Sequence, residues 1–195
     1  MSRMNQIMLQ TIGLALLAFF LAAQGIAQQP LKGWKGDYEP NASYPFGRMN
    51  PSAPPETKQF AFMIGAFDCT DEILNRKTGK WTKMPAIWNA RYFLNGYGIQ
   101  DQYWSPAFST SNIRIFDAKD KKWKVTFFRM PGYSPSTAVS GEMEGKKLVM
   151  RTGTKTNGGS YTFYNISDKG FDWVGESIKD GKASKYWTST CKRSG

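Results

Sequence analysis

Histidine is absent from all 195 residues. That removes Ser-His-Asp catalysis, His-ligated haem and the usual zinc sites together. Cysteine is scarce: Cys69 and Cys191 lie about 120 residues apart, so there is no Cys-x-x-Cys metal or redox motif. Gly153 and Gly158-Gly159 lack the Lys-Ser/Thr and the following helix of a phosphate loop. Asp117 and Asp120 lack the spacing of a calcium loop. No catalytic residue, metal site or cofactor is expected. A period near 3.6 is missing from everything after Gly65, which argues against a helical domain.

Aromatic residues, by contrast, make up 15% of the chain and are spread along it. Chains that never fold are poor in them, and this length suits one domain with a real core. The formal charge is +11. Its lysines, among them Lys77, Lys119, Lys146 and Lys179, fall in turn regions scattered along the chain. Nucleic-acid binding would need a one-faced stripe, so no nucleic-acid partner is expected.

The first 27 residues carry a single charge, Arg3, then an apolar run from Ile12 to Ala23, then Gly25-Ile26-Ala27. This order of charge, apolar run and small residues predicts a secretory signal over 1–27 with cleavage after Ala27. The run is short for a membrane anchor, so no stable span is expected once it is removed. A periplasmic or secreted protein follows. Residues 28–53 are rich in Pro, Gly and Asn and keep no period, which predicts a flexible leader. Trp34, Tyr38, Tyr44 and Phe46 are the residues that would dock it.

The domain proper is expected over 54–195. Pro54-Pro55 opens a short helix, with Phe60, Met63 and Ile64 forming one apolar stripe. At Gly65 the period changes to two, and Phe67, Cys69, Asp71 and Ile73 share a face. Hairpins follow without a break, through Asn95-Gly96, Ala118–Lys122, Glu144-Gly145 and Asp168–Gly170. About ten strands in simple sequential order predict an all-β fold. A sandwich needs Greek-key connections. A meander leaves two bare edges, and closing it into an up-and-down antiparallel barrel removes both.

Closure places Cys69 on the first strand and Cys191 on the last. Either the thiols stay free and buried or they join, as an oxidising compartment permits. If they join, the register follows: Phe67 faces Arg193 and Ile73 faces Trp187, all on one side of the sheet.

Gly65-Ala66-Phe67 with a terminal Arg193 resembles the calycin closure, in which Gly-x-Trp opens the first strand and a late Arg lies across the ring. Here Phe stands in place of Trp. A longer ordered set is similar to a family of exported bacterial proteins with a lipocalin-like barrel and no assigned reaction. It comprises Phe62–Gly65, Leu94–Gly96, Ile113–Asp117, Trp123–Phe127, Phe171–Trp173 and Glu176-Ser177 with Asp180-Gly181. The resemblance covers about 56–193 and implies the fold, not a function. Nitrobindin, a more distant calycin, holds haem through a His, so haem does not carry over to this chain.

In a meander the turns after odd strands share one end. Three of these are long, 105–110, 130–136 and 153–160, and long loops on a rigid frame suit binding. They predict a mouth rimmed by Phe108, Met130 and Tyr133, with the short helix and Phe67 closing the other end. Alternation offers Phe127, Tyr161, Trp173 and Trp187 as inward rings. It also offers Arg114 and Arg129, with Tyr103 and Glu176 as possible partners. A guanidinium in an aromatic cavity needs an acid or an anionic ligand. The reading is an exported protein that binds a small apolar or anionic amphiphilic molecule. Two alternatives stand beside it: a cofactor-free barrel enzyme of cyclase or isomerase type using Tyr103 or Glu176, and a filled structural barrel for envelope or protein contacts. The chain itself leaves oligomeric state open.

Overall fold

The ten strands run β1 (Gly65–Asn75), β2 (Lys80–Phe93), β3 (Gly98–Trp104), β4 (Ser109–Asp117) and β5 (Lys122–Met130), then β6 (Ser136–Glu144), β7 (Lys147–Gly153), β8 (Gly158–Ser167), β9 (Gly170–Lys179) and β10 (Lys182–Arg193). Each pairs antiparallel with its sequence neighbour, and β1 also pairs with β10, so the sheet closes into a barrel. The computed structural model describes residues 36–131 and 136–195, with backbone only for 136–138. The expected signal segment over 1–27, the first part of the leader with Trp34, and Tyr133 lie outside the described residues. Asp37–Gly195 is one compact unit.

The seam has the register that alternation predicts. Phe67 faces Arg193, Cys69 faces Cys191 and Ile73 faces Trp187. The two cysteines form a disulfide across it. Arg193 lies over the Phe67 ring at 4.6 Å and donates to the carbonyls of Ile64 (2.8 Å), Phe62 (3.1 Å) and Asp168 (3.0 Å). One long side chain thus ties the end of β10 to the entry of β1. The approach is so close that a Cβ on Gly65 would sit 2.3 Å from Arg193 Nη1, and Gly65 has φ +130°. Both facts require glycine there.

The helix before β1, Pro55–Met63, is a 3-10 helix. Its buried residues are Thr57, Phe60 and Met63, three apart, as three residues per turn dictate. The predicted stripe of Phe60, Met63 and Ile64 belongs to a wider helix; Ile64 is already extended. The helix closes the barrel at the end of the even turns. Phe60 packs edge-on against Trp123 at 4.6 Å, and Gln59 Oε1 accepts from Trp123 Nε1 at 2.9 Å.

Residues 37–53 are not the loose arm expected over 28–53. Asn95 and Gly96 form the tip of the β2–β3 hairpin, both at positive φ. The segment hydrogen-bonds to that hairpin at Asn50 N to Gly96 O (3.1 Å), Tyr38 N to Asn95 Oδ1 (3.1 Å) and Tyr92 N to Phe46 O (2.9 Å). Arg48 lies over Tyr44 at 4.0 Å. Backbone groups of an aperiodic segment exchange hydrogen bonds with a hairpin, which period analysis does not register.

Candidate functional site

Inward-pointing side chains do not fill the barrel. A cavity of about 410 Å³ lies toward the end of the odd turns. That is within the range of small-molecule sites. Its lining is half aromatic: Trp88, Tyr103, Phe108, Phe127, Tyr161, Trp173, Tyr186 and Trp187, out of sixteen residues. The rings brace each other. Trp173 meets Trp187 edge-on at 4.9 Å, Tyr103 meets Trp187 at 5.2 Å, and Phe108 stacks on Tyr103 at 5.6 Å. Such packing gives a rigid wall.

Of the eight ligand-site residues predicted from sequence, the fold brings seven to this cavity: Tyr103, Arg114, Phe127, Arg129, Tyr161, Trp173 and Trp187. Glu176 is not among them. It alternates out of phase with Phe171 and Trp173 on β9 and pairs with Lys185 on β10, on the outer side of the sheet. At the mouth, Arg129 is exposed and its guanidinium lies 4.9 Å from the Phe108 ring. Among the described residues it makes no ion pair. Met130 is also exposed at this rim.

Arg114 is different. It is buried and ion-paired to Asp101, on the neighbouring strand, with neither side chain exposed to any extent. Asp101 Oδ1 also accepts from Asn112 N (3.1 Å) and Asn112 Nδ2 (2.8 Å). The partners expected for Arg114, Tyr103 and Glu176, are therefore not its partners. Asp101 shares the inward alternation of Ile99 and Tyr103, so the signal was present in β3. Arg114 also faces the rings of Phe60 and Phe163, at 5.1 and 6.0 Å.

Tyr103 instead donates to Asp71 Oδ2, which also accepts from Trp187 Nε1 at 2.7 Å. Asp71 is wholly buried. Burial pushes its carboxyl above the ordinary value, and the bonds from Tyr103 and Trp187 only partly offset this. Burial, then the bond and charge of Asp71, push the Tyr103 hydroxyl up as well. Tyr103 is thus a neutral donor, oriented by Asp71, and not a base. Tyr186 escaped sequence reading because the pairing of β9 with β10 shifts between Lys185 and Trp187. That bulge brings two successive rings, Tyr186 and Trp187, to one wall.

No family model and no curated protein matches the chain. Among solved structures it is similar to an S-type phycobiliprotein lyase from Guillardia theta, with TM-score 0.50 and 10% identity, over 71% of this chain and 92% of that one. It is also similar to Rv2717c from M. tuberculosis, with TM-score 0.48 and 9% identity, over 74% of this chain and 100% of that one. The first likeness supports a lipocalin-like barrel fold and nothing finer.

Proposed function

We propose that the protein holds a small, mainly apolar molecule in the barrel cavity, entering at the end of the odd turns, although the turns expected to be long over 105–110 and 153–160 shorten to four residues each as the strands extend into them. The carrying observation is the cavity itself: about 410 Å³ walled by braced aromatic rings, with the opposite end closed by the 3-10 helix. A barrel serving only as structure gains nothing from such a void, since unfilled core volume costs stability. Arg129 at the rim suits an amphiphile whose negative charge stays near solvent. We further propose that residues 1–27 direct export and that the domain acts outside the cytoplasm, a setting that the Cys69–Cys191 disulfide fits.

Native mass spectrometry of the protein purified without detergent tests the first claim. A bound mass released by solvent extraction is the expected result. A protein that is empty and excludes apolar dyes would sink it. N-terminal sequencing of the protein recovered from outside the cytoplasm tests the second, with Gln28 expected first.

A further inference from the structure

The outer wall beside the mouth carries a row of large apolar side chains exposed to solvent. Trp88, Tyr103, Thr110 and Arg129 pair across β2 to β5 and line the cavity. One residue nearer the odd turns, Ile87, Trp104, Ser109 and Met130 pair across the same four strands. Alternation turns this second row outward. Ile87 is 42% exposed, Trp104 55% and Met130 58%. Trp81 shares the outward parity of Ile87 on β2, lies closer still to the β1–β2 turn and is also exposed. Apolar side chains exposed side by side mark an interaction surface, whereas single ones do not.

The turns at this end are basic. With one flanking strand residue on each side they hold Arg76, Lys77, Lys80, Lys155, Lys179 and Lys182 against a single acid, Asp180. Counted the same way, the turns of the closed end balance six basic residues with four acids, Asp117, Asp120, Glu144 and Asp168. The six cations of the mouth end are exposed, and none makes an ion pair among the described residues. Gly181 N donates to Thr156 O (2.9 Å) and Arg76 Nη2 to Ser177 Oγ (2.7 Å), which ties the three basic hairpins together. Lysines that look scattered along the sequence are thus gathered by the fold. A second copy of the chain would bring the same cations to the contact and be repelled. An anionic lipid surface answers both features, because its headgroups take the cations and its interface takes Trp, Ile and Met. Elsewhere the outer face has exposed charges, Asp68 and Glu72 on β1 and Lys192 on β10, so a bilayer can meet this end but not surround the barrel.

We propose that the mouth end of the barrel docks on an anionic phospholipid bilayer, with Ile87, Trp104 and Met130 seated in the interface and the basic hairpins on the headgroups. Docking there sets the cavity mouth against the lipid. The proposal stands whether or not the cavity holds a guest.

Co-sedimentation with vesicles tests it on residues 28–195, which keep the compact unit Asp37–Gly195 and omit the apolar run from Ile12 to Ala23, a lipid binder in its own right. Vesicles of phosphatidylcholine with about one-third phosphatidylglycerol bind the protein at least about tenfold more tightly than phosphatidylcholine alone. Lys77→Gln combined with Lys182→Gln weakens this binding about tenfold, and Trp104→Ser about fivefold. Lys119→Gln combined with Lys146→Gln makes the same change of charge at the closed end and leaves binding unchanged. All these side chains are exposed, so the variants keep the fold. No preference for the anionic vesicles overturns the proposal. Equal weakening by the two lysine pairs also overturns it, because net charge alone then explains the binding. Undiminished binding of Trp104→Ser does the same. A dimer that forms without lipid and is dissociated by Trp104→Ser assigns the row to a second copy, and overturns the proposal too. Each of these failures leaves the ligand-site reading intact, since that reading is tested by the bound mass.

Discussion

Asp71 and Asp101 are both buried carboxylates on inward positions, and the protein treats them differently. Asp101 accepts three hydrogen bonds, one from the Arg114 guanidinium and two from Asn112. Truncating it by Asp101→Ala strands the Arg114 guanidinium and is expected to cost about 3–5 kcal/mol, read as a loss in the midpoint of urea unfolding. Asp71 has donors but no cation, and burial raises its pKa above the ordinary 3.8. The folded protein therefore binds this proton more tightly than the unfolded chain. Its contribution to stability is complete below about pH 4 and declines as pH rises through the raised value. Oδ2 already takes two donors, so the proton belongs on Oδ1. Asp71→Asn keeps an acceptor for Tyr103 and Trp187 and removes the ionisation. Its melting temperature should exceed that of the wild type at neutral pH and match it in acid; a wild-type advantage at neutral pH would contradict the assignment. Seven of the sixteen residues that line the cavity were legible at this scale, because parity on a strand decides which side chains meet. Tyr103, Arg114, Tyr161 and Trp173 followed from it. The pairing of Arg114 did not, because a partner on the next strand depends on register, which one strand's alternation does not contain.

At the scale of elements, the strands and their order were readable because each hairpin turn carries its own chemistry and each strand a period of two. Two elements were not. The 3-10 helix and an α-helix share short apolar spacings, and only the buried Thr57 separates them. The segment 37–53 is held by backbone groups, which no side-chain pattern records. Its docking does leave a trace at Gly96, where a Cβ would lie 2.4 Å from the Arg48 carbonyl oxygen and φ is +81°. The same logic at the barrel entry gives a sharper expectation. Gly65→Ala forces a side chain into the place of the Arg193 guanidinium at a backbone angle that L residues rarely adopt. It should cost about 1–3 kcal/mol. Measured against Arg193→Ala alone, the added loss from Gly65→Ala should be smaller than in the wild type, because the guanidinium is gone and only the backbone strain remains. An added loss as large as in the wild type would show that Arg193 is not what Gly65 accommodates.

For the whole molecule, closure is the property on which the cavity depends. A ten-stranded meander left open would present β1 and β10 as edges and the cavity would have no wall between Ile73 and Trp187. Three devices hold the seam: the β1–β10 ladder, the Arg193 clasp at one end, and the Cys69–Cys191 bond, which closes a loop of 122 residues. In the chain-entropy account, a loop of that size makes the bond worth about 4–5 kcal/mol, acting on the unfolded chain. The bond and the clasp sit toward the closed end, whereas the cavity lies toward the odd-turn end, beside Ile73 and Trp187. Loss of the bond should therefore lower stability without dismantling the cavity wall. The double variant Cys69→Ser, Cys191→Ser should unfold at markedly lower urea concentration, yet bind an apolar probe with unchanged affinity where it is still folded. A variant that stays folded and loses the probe would mean that the seam needs its sulfur bridge to shape the cavity, and that the ladder between β1 and β10 is too weak to hold the wall alone.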